Sequence, residues 1–566
     1  MRNSLADYRF HLLAAAAIVA FVLGWIGYWQ YFDMAAAHGQ GEPPRLTDAA
    51  FASFKLFSLN APDKTQLPPA LDIARFLAPV VAGWAALSTI GLLFRDRLLQ
   101  MRIPTMRNHV IICGLGHMGS VFVRHLRDHG DRVVVIETDR SNASIELCRD
   151  LGVPVVVGDA QSKRTLLAAG AARAGRLLAV SPRDAINTEI VAAARELTAH
   201  RTTPLECLAK ISDPDLCALL RLQEARRGEE TSSLDFFNID EASARLLLDR
   251  FPPDLTREPH ILIAHLDPLG EWVLWHAARD WYCGAGEYGA TKLTVTVVDD
   301  DADERVASLL GRYPALEGSC RIICCTASVR DIRALPLRYA EQAVAPIAQV
   351  YVTAYQDEQA VETALVLRHE FEGVPIAVAL ARGEGVAALT TATAGFLDKI
   401  DMFQTMENTC TVELVKGGSW EAMARAVHYR EREDASKIRR ADRSWDAVPD
   451  HYKESSRARV RYVVKQLREI GFEIGPLRDW NAVDLITEDD AEKLARAEHD
   501  RWMRERFAQG YTFGERNEAK KTNPNLVPFD ELDDAVKKEN LGFARAIPNM
   551  LAAAGLQVVR RHAHPA

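Results

Sequence analysis

The stretch from His109 to Asp139, HVIICGLGHMGSVFVRHLRDHGDRVVVIETD, decides how this chain folds. The apolar run Val110 to Cys113 predicts a buried strand, the glycine turn that follows predicts the entry into a helix, and Val133 to Ile136 predicts a second strand. The stretch therefore predicts a complete βαβ unit, which is the building block of a parallel sheet.

Three glycines in the turn have separate physical roles in such a unit. Gly114 makes the tight turn, Gly116 lets the backbone approach a pyrophosphate, and Gly119 lets the helix pack closely on the strand. Phosphates would lie on the helix N-terminus, and Glu137 would accept hydrogen bonds from ribose hydroxyls. The pattern predicts a nucleotide-binding site. The alternative is the same fold with a pocket that has lost its ligand and serves packing alone.

Composition limits the remaining possibilities. A chain of 566 residues predicts roughly three or four domains, and a net charge of −9 argues against general nucleic-acid binding. The nine cysteines are scattered and form no zinc-site spacing, so they are interpreted as reduced thiols, with Cys324 and Cys325 in an apolar strand.

Two uncharged runs near the N-terminus, Leu12 to Phe32 and Phe76 to Phe94, are long enough to cross a bilayer. A cleaved signal peptide ending near Ala35 to Ala37 is the alternative for the first run. Arginines precede the first run and follow the second, so both termini are predicted to be cytoplasmic, at an inner or plasma membrane.

A short helix is expected between the spans, at about residues 48–59. It has the position of a pore helix, but Asn60-Ala61-Pro62-Asp63 after it does not resemble the TVGYG ladder of a potassium filter. An amphipathic helix on the outer membrane surface has equal weight.

The alternation of strands and helices continues after the first unit, and its motifs are similar to a known family. HVIICGLGHMG, VVVIETD, VPVVVGDA and LLAVSPRDAINTEIVAAAREL resemble the RCK family, the TrkA-N nucleotide-binding domains that regulate potassium channels and transporters. The resemblance covers about Asn108 to Leu222. It implies NAD(H) or an adenine nucleotide such as ADP or ATP as ligand, and assembly of a homo-oligomer, a dimer or tetramer, through these domains.

The resemblance also implies the residues that bind the nucleotide, with Asp159 near the adenine. The expected set is Gly114, Gly116, His117, Met118, Gly119, Glu137, Asp159, Ala160, Ser181 and Arg183.

A second copy of the module follows, with the same predicted order of strands and helices from HILIAHLDPLGEW onward. Only the last glycine is kept, as Gly270, while His265 and Asp267 replace the first two. A carboxylate at Asp267 would face the pyrophosphate position, so this degenerate copy is not expected to bind a dinucleotide in the usual way. Asp299, Asp300 and Asp301 are read as a solvated turn rather than a metal site.

The C-terminal part resembles a second family. Thr487 and Asp490 predict a helix N-terminus, and ARAEHDRWMRERFAQGYTFGE followed by NPNLVPFDELDDAVKKEN resembles the ryanodine-receptor (RyR) repeat, over about Trp480 to Leu556. Asn523 stands where that family commonly has His.

Aromatic and basic residues converge in this module. They form a possible second ligand site for a stacked purine and its phosphates, composed of His499, Trp502, Arg506, Tyr511, Phe513 and Lys521, with Arg516 nearby. The alternative is that Trp502 and Tyr511 form the core of a small domain, and this has the greater weight.

The predicted architecture is α/β, with two Rossmann-like doubly wound parallel-sheet domains after two transmembrane helices and before a small all-α domain. The expected boundaries are 1–104 for the membrane domain, 105–256 and 257–430 for the two Rossmann domains, 431–479 for a helical linker and 480–566 for the RyR-type domain.

The sequence contains no nucleophile elbow, Walker motif or HExxH, so no enzymatic activity is expected. The prediction is a nucleotide-sensing membrane protein, a ligand-gated ion channel or transport regulator. Alternatives are a membrane-tethered regulatory subunit without its own pore and an NAD(P)-dependent oxidoreductase.

Overall fold

The computed structural model describes most of the chain. The described residues are 3–37, 45–62, 67–201, 203–227, 234–253, 260–284, 292–326, 345–383, 400–418, 424–425, 448, 450–477, 480, 486–517, 519–553 and 556–560. The chain divides into two compact units, Met1–Arg102 and Ile103–Ala566.

The described residues of the N-terminal unit form two long apolar helices and two short ones. Helix α1 spans Asn3–Ala37, α2 spans Leu46–Leu56, α3 spans Pro69–Leu93 and α4 spans Arg95–Gln100. His11–Ala37 and Pro69–Ile90 are long and apolar enough to cross a membrane, with mean hydropathies of 2.0 and 1.5. Both predicted apolar spans are therefore helical.

Helix α2 packs directly against the apolar part of α1. The Ser53 hydroxyl donates a hydrogen bond to the carbonyl oxygen of Phe21 at 2.7 Å, and the Trp25 indole donates to the carbonyl oxygen of Leu46 at 3.1 Å. A Cβ atom added at Gly24 would lie 2.4 Å from the Ser53 hydroxyl oxygen, so the glycine permits this close approach. The short helix α2 thus packs against the middle part of the long apolar helix α1.

The second unit begins with a six-stranded parallel sheet. Its strands are β1 (Val110–Cys113), β2 (Val133–Glu137), β3 (Val155–Val157), β4 (Arg176–Ala179), β5 (Glu206–Lys210) and β6 (Leu234–Phe237). The intervening helices are α5 (His117–Asp128), α6 (Ser144–Asp150), α7 (Lys163–Ala168), α8 (Asp184–Thr198), α9 (Pro214–Arg227) and α10 (Ile239–Arg250). The strand order β3-β2-β1-β4-β5-β6 is doubly wound and reverses between β1 and β4.

A second six-stranded parallel sheet follows. Its strands are β7 (His260–Ala264), β8 (Leu293–Asp299), β9 (Cys320–Thr326), β10 (Gln349–Val352), β11 (Ile376–Leu380) and β12 (Ile400–Gln404). Its helices include α11 (Pro268–Gly284), α12 (Ala302–Arg312), α13 (Ala315–Ser319) and α14 (Asp357–Glu370). The order β12-β11-β10-β7-β8-β9 is the order of the first sheet read from the other edge, which confirms the predicted second Rossmann-like domain.

The chain leaving the second sheet returns to the first. Helix α15 (Thr405–Thr409) and the residues after it place Cys410 among the buried side chains that surround Phe122 of α5. The His125 ring lies 2.9 Å from the Cys410 carbonyl oxygen, and Arg124 pairs with Glu407. The tail of the second module therefore completes the core of the first.

The C-terminal region is helical, as predicted, and also contains two small sheets. Its helices are α16 (Asp450–Glu469), α17 (Glu488–Ala508) and α18 (Asp534–Ala553). Strands β13 (Phe472–Pro476) and β16 (Leu556–Arg560) pair antiparallel, and β14 (Thr512–Phe513) pairs with β15 (Thr522–Asn523). The Thr487 and Asp490 capping box is present at the start of α17. The first part of the predicted helical linker, residues 431–447, lies outside the described residues.

This region contacts both parallel-sheet modules. Trp480 packs edge-on against Trp275 of α11 with ring centroids 5.9 Å apart, and Arg279 of α11 donates to the Ala552 carbonyl oxygen at 2.7 Å. Leu222 of α9 is buried in the core of the C-terminal region. These packing contacts would transmit a change of shape in either module to the C-terminal region.

Candidate functional site

The glycine turn after β1 has the geometry that the sequence predicts. Gly114 has φ +104°, a backbone conformation that L side chains rarely adopt. A Cβ atom at Gly119 would lie 2.1 Å from the carbonyl oxygen of Gly114, so any side chain would separate α5 from the turn. Gly116, the N-cap of α5, has ordinary extended backbone and open space where its side chain would be.

The open space above Gly116 faces the N-terminus of a twelve-residue helix. Backbone N–H groups there lack intrahelical partners, and the helix dipole favours an anion. In the same turn the Nε2 atom of His117 is enclosed and makes no hydrogen bond within the described part of the chain. Phosphate oxygens fit this position, because they supply acceptors to donors that the fold leaves unpaired.

Glu137 lies at the end of β2 beside this turn, with only 8% of its surface exposed. One carboxylate oxygen accepts from the Leu115 amide at 2.8 Å and from the Asn142 side-chain amide at 3.2 Å. The other accepts from the Asp139 amide at 2.9 Å and the Thr138 hydroxyl at 3.1 Å. A carboxylate has about four acceptor directions, so a ribose hydroxyl must replace one of these donors.

The replaceable donors are the side chains of Thr138 and Asn142, because they rotate, whereas the two backbone amides are fixed. Glu137 thus has two roles: it holds the glycine turn through Leu115, and it presents a negative charge at the position expected for ribose. This charge would repel the 2′-phosphate that distinguishes NADP(H) from NAD(H).

The opposite wall of the crevice follows β4. Asn187 of α8 is fully buried; its side-chain oxygen accepts from the Ser181 amide at 2.8 Å, and its side-chain nitrogen donates to the carbonyl oxygens of Ser181 and Lys210, both at 2.9 Å. A Cβ atom at Gly114 would lie 3.4 Å from the Ser181 backbone, so this wall borders the glycine turn. One amide side chain therefore fixes the strand ends that form the crevice.

The remaining predicted residues lie around the same strand ends. Met118 is partly exposed in the first turn of α5, and Arg183 is exposed at the N-cap of α8. Asp159 is exposed and accepts from the Gln161 amide at 2.9 Å, while Ala160 is 7% exposed. The predicted set follows β1, β2, β3 and β4, whose carboxyl ends form one edge of the sheet.

The predicted C-terminal site is a contiguous aromatic and basic cluster on α17 and the loop after it. Trp502 stacks on the His499 ring with centroids 5.6 Å apart, and the Arg506 guanidinium lies 5.9 Å from the Trp502 ring and 4.9 Å from the Tyr511 ring. His499 is 3% exposed, and its Nε2 atom donates to the Val527 carbonyl oxygen at 2.7 Å. The histidine is therefore a supporting group whose ring orients the tryptophan.

Trp502 and Tyr511 are not the core of this domain. The buried cluster is formed by other side chains, among them Leu494, Phe529 and Ile547, while Trp502 and Tyr511 are partly exposed. Phe513 is 65% exposed, and Lys521 is exposed and donates to the Gln509 carbonyl oxygen at 2.8 Å. The core interpretation that the sequence favoured is therefore not supported, and ligand stacking on this surface stays a prediction.

With this geometry described, the comparisons with known proteins assign both regions. The family model of the TrkA-N domain matches residues 110–227. The first crevice belongs to a TrkA-N domain. The family model of the RyR domain matches residues 479–560, so the aromatic cluster lies in a RyR domain.

Two relatives align with part of the chain. An uncharacterised protein of Methanothermus fervidus is 33% identical over 99 residues, covering 18% of this chain and 16% of that protein. Potassium channel protein 1 of Methanocaldococcus jannaschii is 34% identical over 104 residues, covering 18% of this chain and 31% of that protein. The alignments thus span less than a third of either relative's length.

Solved structures of the GsuK channel align over a longer part of the chain. One covers 74% of this chain and 99% of that chain at 17% identity and a TM-score of 0.38. The GsuK channel bound to NAD covers 73% and 84% at 14% identity and a TM-score of 0.37. Because these scores are low, the domain assignments rest on the sequence matches.

Sequence reasoning missed two residues that build the TrkA-N crevice, Asn142 and Asn187. Asn142 donates to the Leu115 carbonyl oxygen at 3.0 Å as well as to Glu137. The available signal was weak: Asn187 is a polar residue on the buried face of α8, next to Ile190 and Val191. Such a residue needs buried hydrogen-bond partners, but the sequence does not show that two strand ends supply them.

Proposed function

We propose that this chain is a nucleotide-responsive membrane protein, in which ligand binding in the TrkA-N crevice regulates ion movement through a pathway formed by several copies. The observation that carries the proposal is the crevice itself: open space at Gly116, the N-terminus of α5 beside it and the enclosed acid Glu137. Its ligand is NAD(H) or an adenine nucleotide, ADP or ATP. Its role is regulation rather than catalysis.

The N-terminal unit supplies the proposed membrane part. The two apolar helices cross the bilayer with both termini in the cytoplasm, in keeping with the arginines that flank them. Helix α2 packs through Ser53 against Phe21 inside the apolar stretch of α1, which favours a re-entrant pore helix over a helix lying on the outer surface. The backbone of a re-entrant segment inside the bilayer must be surrounded by protein or water rather than lipid. This requirement supports assembly of a homo-oligomer, in which other copies would surround the segment.

The chain offers a route from ligand to membrane. We assign residues 1–104 to the membrane domain, 105–256 and 257–430 to the two Rossmann domains, 431–479 to the linker and 480–566 to the RyR-type domain. The segment Arg95 to Arg107 joins α3 to the TrkA-N domain, so a shift of that domain is applied to the end of the second span. The curated potassium channel relative is an example of a channel protein that aligns with this chain.

The RyR domain is a second ligand-binding candidate, favoured by Arg506 lying between two partly exposed aromatic rings. We propose that Trp502 and Tyr511 stack a planar base, while Arg506 and Lys521 contact its phosphate. Contacts of this region with α9 and α11 would pass its binding on to the parallel-sheet modules.

Ion flux through liposomes containing the full-length protein tests the proposal, measured with and without NAD⁺, NADH, ADP and ATP. Nucleotide-dependent flux that is lost in Gly116→Ala and kept in Gly311→Ala is expected. Gly311 is the matched control, since a Cβ atom there also meets nothing within 4 Å but lies outside the crevice.

Other outcomes separate the alternatives. Tight nucleotide binding without flux would replace the channel with a tethered regulatory subunit, to be identified by its co-purifying transporter. Turnover of a reduced cofactor would support the oxidoreductase. A nucleotide response lost in Trp502→Ala but kept in Gly116→Ala would move the regulatory site to the RyR domain.

A further inference from the structure

The crevice of the second parallel sheet keeps one part of the first crevice, the acid at a strand end that accepts from the turn after the first strand. The Leu266 amide donates to Asp299 at 2.8 Å, as the Leu115 amide donates to Glu137 at the same distance. The Asp301 amide donates to the other oxygen of Asp299 at 3.1 Å, repeating the second backbone contact of Glu137. An acid at the end of the second strand holds the turn in both modules.

Arg305 takes the place that Asn142 has in the first module. Its guanidinium donates to the Leu266 carbonyl oxygen at 3.2 Å and lies 3.2 Å from Asp299. The charge of Asp299 is therefore balanced within the fold, and this arginine is already engaged by two protein oxygens. It is not placed as a free anchor for a ligand anion.

The phosphate half of the site has been replaced. Asp267 stands at the position of Gly116, and its carboxylate accepts from the Gly270 amide at 2.8 Å, at the N-terminus of α11. The anion position on the helix is thus filled by the protein's own carboxylate. A pyrophosphate would meet this negative charge, which excludes the usual dinucleotide arrangement.

A cavity of about 190 Å³ nevertheless remains at this crevice. Its lining is formed by His265, Asp267, Asp299, Asp300, Asp301, Arg305, Ala354, Tyr355 and Gln359. The lining contains four carboxylates and one guanidinium, that of Arg305. Burial lowers the pKa of His265, so the His265 ring is neutral near neutral pH. The cavity carries net negative charge at the switch point of a doubly wound sheet, the place where such sheets bind ligands.

Two features define the ligand chemistry. Asp267 is only 7% exposed yet lines the cavity, so its charge is poorly screened by water. Tyr355 also lines the cavity and is 66% exposed, and an aromatic ring can attract a cation. Within the described residues no group of three or more His, Cys, Asp and Glu is placed to hold a metal ion. An organic cation fits this lining better than a metal.

We propose that this second crevice binds a small aliphatic amine, whose ammonium group pairs with Asp267. The volume admits an amine of a few carbons and is too small for a dinucleotide. The proposal does not depend on nucleotide binding in the TrkA-N crevice, since the two cavities use different strand ends.

Isothermal titration calorimetry on the full-length protein tests it, with putrescine and butylamine as probes at about pH 8, above the pKa of about 7 that burial gives Asp267. The butanediol with the chain length of putrescine is the uncharged control. Binding of the amines without binding of the diol is expected. Asp267→Asn keeps the acceptor for the Gly270 amide but removes the charge, and should weaken amine binding about tenfold or more.

The variant Gly116→Ala should leave amine affinity unchanged, which separates this site from the first crevice. Equal binding of amine and diol, or equal affinity in Asp267→Asn, would overturn the proposal. Absence of binding by both amines up to about 10 mM would overturn it as well. Thermal unfolding of Asp267→Asn checks that the variant is folded.

Discussion

Substitution by alanine is expected to have different effects at two glycines of the TrkA-N turn: at Gly119 it should lower stability, and at Gly116 it should weaken nucleotide binding. In Gly119→Ala the new methyl group would lie 2.1 Å from the backbone carbonyl oxygen of Gly114. Because that oxygen belongs to the main chain, relief requires α5 to move away from the turn. In Gly116→Ala the methyl group meets no atom of the described residues within 4 Å, and the backbone stays in an ordinary extended conformation.

The expected magnitudes follow from these distances. Overpacking of this kind costs about 1–3 kcal/mol, so Gly119→Ala should lower the stability of the TrkA-N domain measurably. Gly116→Ala loses a good N-cap residue and should cost less than about 1 kcal/mol. Its methyl group fills the space of the phosphates, and loss of one or two charge-assisted hydrogen bonds weakens nucleotide binding by about 3 kcal/mol, or roughly a hundredfold.

Thermal unfolding of the full-length protein, with and without nucleotide, measures both effects. At a nucleotide concentration of about 100 times the dissociation constant, wild type should gain about 2.7 kcal/mol, whereas Gly116→Ala should gain only about 0.4 kcal/mol. Gly311→Ala controls for the effect of a methyl group elsewhere. Full nucleotide stabilisation in Gly116→Ala, or wild-type stability of Gly119→Ala without ligand, would refute the assigned roles.

Two further predictions concern buried charges. Burial raises the pKa of Asp267 to about 7, so the folded state holds this proton more tightly than the unfolded state. The residue therefore destabilises the fold above about pH 7, and the penalty disappears as the pH falls towards 4, the unfolded-state value. Asp267→Asn should be more stable than wild type at about pH 8, by up to a few kcal/mol, and similar near pH 4; thermal unfolding at both values measures this, and a pH-independent difference would contradict it. Around the carboxyl lie Asp240, His265, Gly270, Arg305 and Thr353. Glu241 is 4% exposed and accepts from Arg221 and Arg245 at 2.7 Å each. Glu241→Ala should therefore cost about 3–5 kcal/mol in thermal unfolding, because it removes the carboxylate that balances two buried guanidiniums; a loss below about 1 kcal/mol would show that water reaches them.

Local patterns predicted the elements whose partners lie nearby in sequence. The turn from Gly114 to Gly119 and the capping box at Thr487 depend on residues a few positions apart, and the structure has them as expected. No strand was predicted at β6, because a short apolar run such as Leu234–Phe237 does not distinguish a strand from a buried helix segment. The predicted start of α2, at about residue 48, was late by two residues.

The sequence by itself determined the repeated αβ architecture, the two apolar spans and the chemistry of the glycine turn. These depend on periodicity and on the few backbone conformations that glycine permits. The tertiary structure alone decided that Asn187 joins two strand ends, that Trp502 lies outside the RyR core, and that Cys410 completes the core of the first module. Such contacts join residues far apart in the chain, and burial and buried hydrogen-bond partners are set by the packed fold, which sequence spacing does not encode.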